Sequence, residues 1–296
     1  LSKAAKASRR AREILGEFQP DLVLGTGGYA SYPAVQAAVR QGIRCAMLEV
    51  NAAPGMVVKR MSRKVDCVFT SFAETGPQLP GAKKVVLTGS PVRQEIVNAR
   101  PDGLKQRLFG EEGGPMVVSF WGSVGALYMN QKMSECIKLC AQEKPFCLVH
   151  AAGASNYKWM PEYIAKMGVD LETARNIDLR EYIFDMDKVL CEADLVICRA
   201  GASTLAEVCA AGKPSIIVPS PYVADNHQEK NARVLGRYGA AVVITEAEAT
   251  GKKIYDTACQ LLQDPAKLQE MGAKARSLAK TDAVEQIYQG ICQLLA

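Results

Sequence analysis

The sequence predicts an α/β protein built from two doubly wound domains, each with a parallel sheet. Three observations carry this expectation. The chain has 296 residues, and at roughly 100–200 residues per domain that suggests two. Short apolar runs alternate with longer helix-like segments, the pattern of strand–crossover–strand units. Glycine-containing turns follow several of those runs directly, where ligands bind in such sheets.

The elements follow in order. Residues 3–17 predict an amphipathic helix: Ala4, Ala7, Ala11, Ile14, Leu15 and Phe18 fall near one stripe, while Lys3, Lys6, Arg9, Arg10 and Arg12 supply cations. Pro20 stops it. DLVLGTGGYASYP (21–33) then reads as strand, turn and helix start. Strands are expected at 43–48 and 65–70, with a basic helix at 54–64 between them, and VVLT (85–88) is one more strand. Residues 98–115 are rich in charge, glycine and proline, so the domain boundary is placed near Ile96–Ala99. The second half restarts with strand 116–120. Further strands are expected at 146–149, 195–198, 215–218 and 241–244, with a strand and turn at 177–183, interleaved with helices. This gives domains 1–97 and 98–281, with a last helix, 282–296, expected to pack back on the first.

Composition narrows the function classes. Hydrophobic residues make up 48% and charged residues 23%, enough to bury cores without disulfides or metals. None of the ten cysteines forms a C-x-x-C pair. Cys67, Cys147, Cys198 and Cys209 lie in apolar runs and read as buried free thiols. With only His150 and His227, a zinc site lacks nitrogen ligands. No apolar run approaches 18 residues, so no membrane-spanning segment is expected. The net charge of +5 is uneven: residues 1–64 hold eleven Lys or Arg and four acids. That basic part suggests an anionic partner, whether an anionic membrane surface, a phosphorylated substrate or nucleic acid, or else a solvated basic face. No aromatics interleave with the charges, so no nucleic-acid partner is expected.

Four turns could carry chemistry. GTGG (25–28) follows the first strand; Gly27 and Gly28 let backbone N–H groups approach a phosphate, or simply make a tight turn. FWGSVGA (120–126) has the same ambiguity around Gly122 and Ser123. In RAGASTLAEVCAAGKP (199–214), the N–H groups of Ala202, Ser203 and Thr204 would face an anion at a helix start. Glu207 could accept both hydroxyls of a ribose, although Thr204-x-x-Glu207 is also a capping-box spacing, and spacing alone favours the cap. In PYVADNHQEKNA (221–232), Asp225 or Asn226 would cap a helix that presents His227 and Gln228. Arg93 of GSPVR could clamp a diphosphate or be a solvated charge. No D-x-D motif, Ser-His-Asp set or clean dinucleotide fingerprint is present.

Together the motifs resemble one family. GTGGYASYP, NAAPG (51–55), TGSPVR (88–93), GSVGA, YIFDM (182–186), ICRAGASTLAEVCAAGKPSIIVP (197–219) and DNHQEKNA occur in the order found in MurG-type transferases of glycosyltransferase family 28. The resemblance runs from about Gln19 to the C-terminus. It implies a GT-B fold of two Rossmann-like domains facing a cleft. It implies inverting transfer of GlcNAc from UDP-GlcNAc to a lipid-linked acceptor, lipid I, giving lipid II for peptidoglycan, without a cofactor or metal, peripherally at the cytoplasmic face of the membrane. By similarity the backbone of Ile183 would hold uracil and Met186 would lie against it. Glu207 would take the ribose, and Ala202, Ser203, Thr204 and Ser123 the diphosphate. Arg93 would reach the phosphates, and His227 and Gln228 the GlcNAc. Asn51 and Tyr29, with Gly27 and Gly28, would face the acceptor.

The departures shape further expectations. The family begins with a strand and a G-G-T-G-G-H turn whose histidine is a candidate base. That segment is absent here, so the first domain is expected to be incomplete and transfer by this stretch alone weak. His227 and Asn51 remain as possible catalytic residues. Leu48 and Val50 replace the His and Gln of H-E-Q-N-A, and Ser90 replaces Asn before Pro91. Trp121 stands where the family has Gly and is expected to crowd the phosphate turn. The alternatives are another UDP-sugar-dependent glycolipid transferase, a non-catalytic nucleotide-sugar-binding fragment and, more weakly, a sugar-nucleotide epimerase.

Overall fold

A computed structural model describes residues 3–111, 113–122 and 125–296. The chain divides into two compact units, Leu1–Pro91 with Lys280–Ala296, and Val92–Ala279. The sequence reading divides it after Val97 and after Thr281 instead. The difference at the first boundary comes from Gln94–Asn98, a short helix that packs on helices Met186–Glu192 and Ala202–Ala211 of the second unit.

The first unit holds a four-stranded parallel sheet: β1 (Leu22–Gly25), β2 (Arg44–Glu49), β3 (Cys67–Thr70) and β4 (Val85–Leu87), in that spatial order. The period-2 alternation of β2 sends its side chains to two cores. Cys45 and Met47 pack with Val35 and Ala38 of helix Gly28–Arg40 and with Val58 and Met61 of helix Met56–Met61. Ala46 and Leu48 pack with Cys67, Phe69 and Ile287. Ile287 belongs to the helix Ala283–Leu295. Gly290 lets that helix sit close to β3, because a Cβ there would lie 2.5 Å from Phe69 Cε1. Leu48, in the family's His position, is therefore a core residue.

The second unit holds six parallel strands: β5 (Met116–Phe120), β6 (Cys147–Ala151), β7 (Ile177–Arg180), β8 (Leu195–Cys198), β9 (Ser215–Ile217) and β10 (Ala241–Val243). Their spatial order is β10-β9-β8-β5-β6-β7. Every residue of β5, β6, β8 and β9 is buried, as expected of strands covered by helices on both faces. Cys67, Cys147, Cys198 and Cys209 are free and buried; burial pushes the Cys198 and Cys209 thiols up to about 12. The charged stretch after Ala99 contains a helix, Leu104–Phe109, that local sequence does not announce. Its opening N–H groups are capped from elsewhere: Glu192 accepts from the backbone of Asp102, Leu104 and Lys105.

Candidate functional site

The second unit's crossovers run one way from β5 through β6 to β7 and the other way from β8 through β9 to β10. The switch point between β5 and β8 is where open parallel sheets bind ligands, beyond the strands' carboxyl ends. A cavity of about 230 Å³ lies there. Trp121, Gly122 and Gly125 line it from the turn after β5, and Arg199, Gly201 and Thr204 from the turn after β8.

Two helices begin at this cavity without a side-chain cap. Helix Leu127–Glu143 starts after Ala126 and helix Ala202–Ala211 after Gly201. The first N–H to bond within the second helix is that of Leu205, which donates to Gly201 O. The N–H groups of Ala202, Ser203 and Thr204 precede it and point out of the helix start, an arrangement that attracts anions. Because Gly201 holds the cap position, Thr204 lies in the first turn and Glu207 in the second. The capping-box reading of Thr204-x-x-Glu207 is thus overturned.

Glu207 is engaged by Arg93, which donates from Nε to Oε1 at 2.8 Å. The carboxylate holds the Arg93 guanidinium above its ordinary pKa, and Tyr182 and Asp187 lie near enough to add to the effect. The two residues expected at ribose and phosphate therefore share one spot. Ile183 is buried, and Met186 opens the helix Met186–Glu192. The loop between is held by Arg180, which donates to Asp178 at 2.7 Å and to Asp185 at 2.9 Å. Tyr182 and Phe184 flank Ile183 as an exposed ring pair with centroids 4.9 Å apart.

On the far side, Gln228 lines the cavity and accepts from Ser220 N at 2.9 Å. His227 Nδ1 lies 2.8 Å from Ala224 O. A carbonyl only accepts, so Nδ1 is the donor in this hydrogen bond and Nε2 is the ring nitrogen it leaves over. Neither Asp225 nor Asn226 caps that helix through its side chain; Asn226 holds the cap position in a left-handed conformation and its amide donates to Glu229. Ser123 lies outside the described residues.

The β5 turn is held from beneath by a buried polar network. His150 lies 2.6 Å from Ser119 Oγ through Nδ1 and 3.0 Å from Asn130 Oδ1 through Nε2, while Asn130 Nδ2 donates to Ala152 O at 2.7 Å. Burial pushes the His150 pKa down to about 3, so the ring is neutral. Gly125 has φ +77°, and a Cβ there would sit 2.2 Å from Ala152 O. The turn can close over Ala152 only with glycine.

Sequence reasoning assigned no role to Arg199 or Glu246. Arg199 is buried, pairs with Glu246 and donates to Val218 O at 3.1 Å. Its guanidinium carbon lies 5.8 Å from the centre of the Trp121 ring, whose other neighbour is His150 at 6.5 Å. Trp121 is 4% exposed. The expected crowding is corrected accordingly: the indole packs into the core under the turn. Arg199 falls inside the RAGAS motif, but its acidic partner lies far along the chain, and no local spacing signals the pair.

In the first unit, Gly27 and Gly28 start the helix Gly28–Arg40. Tyr29 is 71% exposed and lines a cavity of about 1020 Å³ with Tyr32, Met56, Lys3, Lys59 and Arg60. Asn51 sits in the loop after β2, where Glu49 organises the chain. Glu49, which the motif reading passed over, is buried and accepts from Asn51 N at 2.9 Å, Asn51 Nδ2 at 3.1 Å and Gly55 N at 2.7 Å. An amide donating to a carboxylate is a loop anchor and has no basic atom to offer, so Asn51 is a poor base. Ser90, in the family's Asn position, pairs its hydroxyl with Ser71 at 2.7 Å.

Residues 116–287 match the glycosyltransferase family 28 C-terminal domain, and residues 1–70 match the glycosyltransferase family 28 N-terminal domain. The chain is 41% identical over 97% of its length to a UDP-N-acetylglucosamine–N-acetylmuramyl-(pentapeptide) pyrophosphoryl-undecaprenol N-acetylglucosamine transferase of Caldanaerobacter subterraneus, spanning 78% of that protein. It is 40% identical over 96% of its length to the transferase of the same name from Acetivibrio thermocellus, spanning 76% of it. The crystal structure of Acinetobacter baumannii MurG matches with a TM-score of 0.79 and 29% identity, over 98% of this chain and 78% of that one. A Neisseria meningitidis UDP-GlcNAc 2-epimerase bound to UDP-GlcNAc matches with a TM-score of 0.71 at 14% identity, over 98% of this chain and 81% of that one. At that identity the likeness shows the fold alone. Two parallel-sheet α/β units with these likenesses are the GT-B fold.

Proposed function

The chain belongs to glycosyltransferase family 28, and from that premise we propose that it transfers N-acetylglucosamine from UDP-N-acetylglucosamine to N-acetylmuramyl-(pentapeptide) pyrophosphoryl-undecaprenol. The observation that carries this reading is the convergence of two uncapped helix starts on the cavity between β5 and β8, with Glu207 in the second turn behind it. Each part of that arrangement has a counterpart in the donor. The open N–H groups of Ala202, Ser203 and Thr204 suit the diphosphate. Glu207 suits two ribose hydroxyls, and the polypeptide around Ile183 suits an unsubstituted base edge. Gln228 and His227 Nε2 suit sugar hydroxyls.

The reaction then proceeds by direct displacement. The acceptor's hydroxyl oxygen bonds to the sugar's anomeric carbon, the bond from that carbon to the β-phosphate oxygen breaks, and the hydroxyl proton passes to a base. Developing charge on UDP is met by fixed N–H dipoles rather than by reorganising water, which lowers the barrier. Arg93 adds a charge that Glu207 keeps in place.

A membrane surface is the fitting location. The cavity beside Tyr29 and Met56 is rimmed by Lys3, Lys59 and Arg60, which pairs an apolar floor with charges for anionic headgroups. Among the described residues no helix is long and apolar enough to cross a membrane.

The test is the product formed from UDP-GlcNAc and a short-chain pyrophosphoryl-linked N-acetylmuramyl-pentapeptide. The expected outcome is a disaccharide lipid with UDP released in equal amount, and the identity of the product decides rather than its rate. Epimerised UDP-sugar, or UDP released without regard to the acceptor, would contradict the proposal.

A further inference from the structure

A row of buried polar groups lies behind the start of helix Leu127–Glu143 and has no part in the reaction as written above. Ser119 lies on β5, His150 on β6 and Asn130 in the first turn of that helix. All three are fully buried. Burial rules out nucleophilic chemistry, because no substrate reaches the Ser119 hydroxyl. A fully satisfied buried network instead rigidifies the elements it joins.

The direction of every bond in the row follows from its last member. The Ala152 carbonyl can only accept, so the Asn130 group 2.7 Å from it is the amide nitrogen. Asn130 Oδ1 therefore faces His150 Nε2 at 3.0 Å. An amide oxygen accepts, so Nε2 carries the ring proton. The ring is neutral and has one such proton, so Nδ1 is bare and accepts from the Ser119 hydroxyl at 2.6 Å. The three bonds run one way, from Ser119 to Ala152 O.

That carbonyl is where the row meets the site. Gly125 lines the cavity and passes so close to Ala152 O that a Cβ on it would come within 2.2 Å. Ala126, on the same wall, holds the cap position of helix Leu127–Glu143. Asn130 N donates to Ala126 O at 2.9 Å and closes the first turn. The N–H groups of Leu127, Tyr128 and Met129 precede it at the open helix start. One residue thus closes the turn through its backbone and fastens it to the end of β6 through its side chain.

We propose that Asn130 and His150 are positioning residues for the donor's diphosphate: the one-way row, with His150 held as its Nε2–H tautomer, sets where the start of helix Leu127–Glu143 stands against the end of β6. The inference rests on the donor reading above and deepens it. Neither side chain touches the ligand. Both act through the N–H groups of the helix start, so they tune the grip on phosphate and leave the nucleoside, held by other elements, alone.

Long-range ¹H–¹⁵N correlation spectra of labelled protein read the tautomer. The chain has two histidines, and the signals lost in His150→Gln belong to His150. A protonated Nε2 and a bare Nδ1 are expected. Two variants then separate positioning from bulk. His150→Met fills the space without a donor, and is expected to weaken UDP by roughly 5- to 10-fold, the size of a lost buried hydrogen bond, with uridine affinity unchanged. His150→Gln can still donate to Asn130 and is expected to recover most of the UDP affinity. Asn130→Ser, which also breaks the row, is expected to show the same split between UDP and uridine and decides the matter if His150→Met does not fold. A ring protonated at Nδ1, equal weakening of UDP and uridine, or a Gln variant no better than Met overturns the proposal. Absence of UDP binding by the parent protein is a different result: it removes the donor reading itself.

Discussion

Arg93 and Glu207 hold each other through a 2.8 Å hydrogen bond from Nε to Oε1. The pair keeps the carboxylate oriented one turn behind the anion-binding helix start, yet it is open to water: the Arg93 side chain is 53% exposed and that of Glu207 21%. A pair this wet adds at most about 1 kcal/mol to stability. Since Gly201 begins the helix, Glu207→Ala removes no cap. The variant is expected to lose UDP affinity by roughly 10- to 100-fold while its thermal midpoint stays close to the parent's. Calorimetry and a melting curve on the same sample check this, and a large drop in midpoint with UDP affinity intact would return Glu207 to a structural role.

Gly125→Ala is expected to damage both the fold and the donor site. The new methyl would meet Ala152 O at 2.2 Å with φ at +77°, and forced backbone strain of this kind costs about 1–3 kcal/mol even before the clash. Denaturant unfolding should show the loss, and UDP-GlcNAc affinity should fall with it. Unchanged values for both would mean that the turn is not closed as described.

His150 should give the protein an acid-sensitive limb. Its folded pKa lies near 3, against 6.5 for the free side chain, so between those values the unfolded chain takes up a proton that the fold refuses. Stability from this residue is whole above pH 6.5 and falls as pH drops, by about 1.4 kcal/mol per pH unit at the steepest. Unfolding free energies measured from pH 7 to pH 4 should fall less steeply in His150→Asn than in the parent. Parallel profiles would show that His150 does not titrate between the two states.

Membrane affinity should depend on charge at the rim of the first unit's cavity. Lys59→Gln and Arg60→Gln are each expected to reduce binding to anionic vesicles by about fivefold, the equivalent of about 1 kcal/mol per basic residue. High salt should do the same to the parent. Equal sedimentation with neutral and anionic vesicles would remove the electrostatic part of the account.

Much of this was legible because parallel sheets write a simple code. Buried strands such as MVVSF and LVIC read as unbroken apolar runs, and the turns that follow them at Gly122 and in RAGAS could be located from the sequence, whereas spacing alone assigned Glu207 to a cap. Tertiary partners could not. The helix Leu104–Phe109 is capped by Glu192, Arg199 is neutralised by Glu246, and Asn51 is tied by a glutamate whose burial no periodicity announces. Trp121 shows the limit most clearly. A large residue in place of glycine suggests obstruction, and only the fold reveals that the ring turns into the core and leaves its N–H orphaned.

The most direct measurement of the central claim, that the turns after β5 and β8 form a UDP-sugar cradle, is a calorimetric titration of the protein with UDP-GlcNAc, UDP, ATP and NAD. The account predicts saturable one-to-one heats for UDP-GlcNAc and UDP and none for ATP or NAD. Absence of a UDP isotherm, or equal binding of ATP, would contradict it.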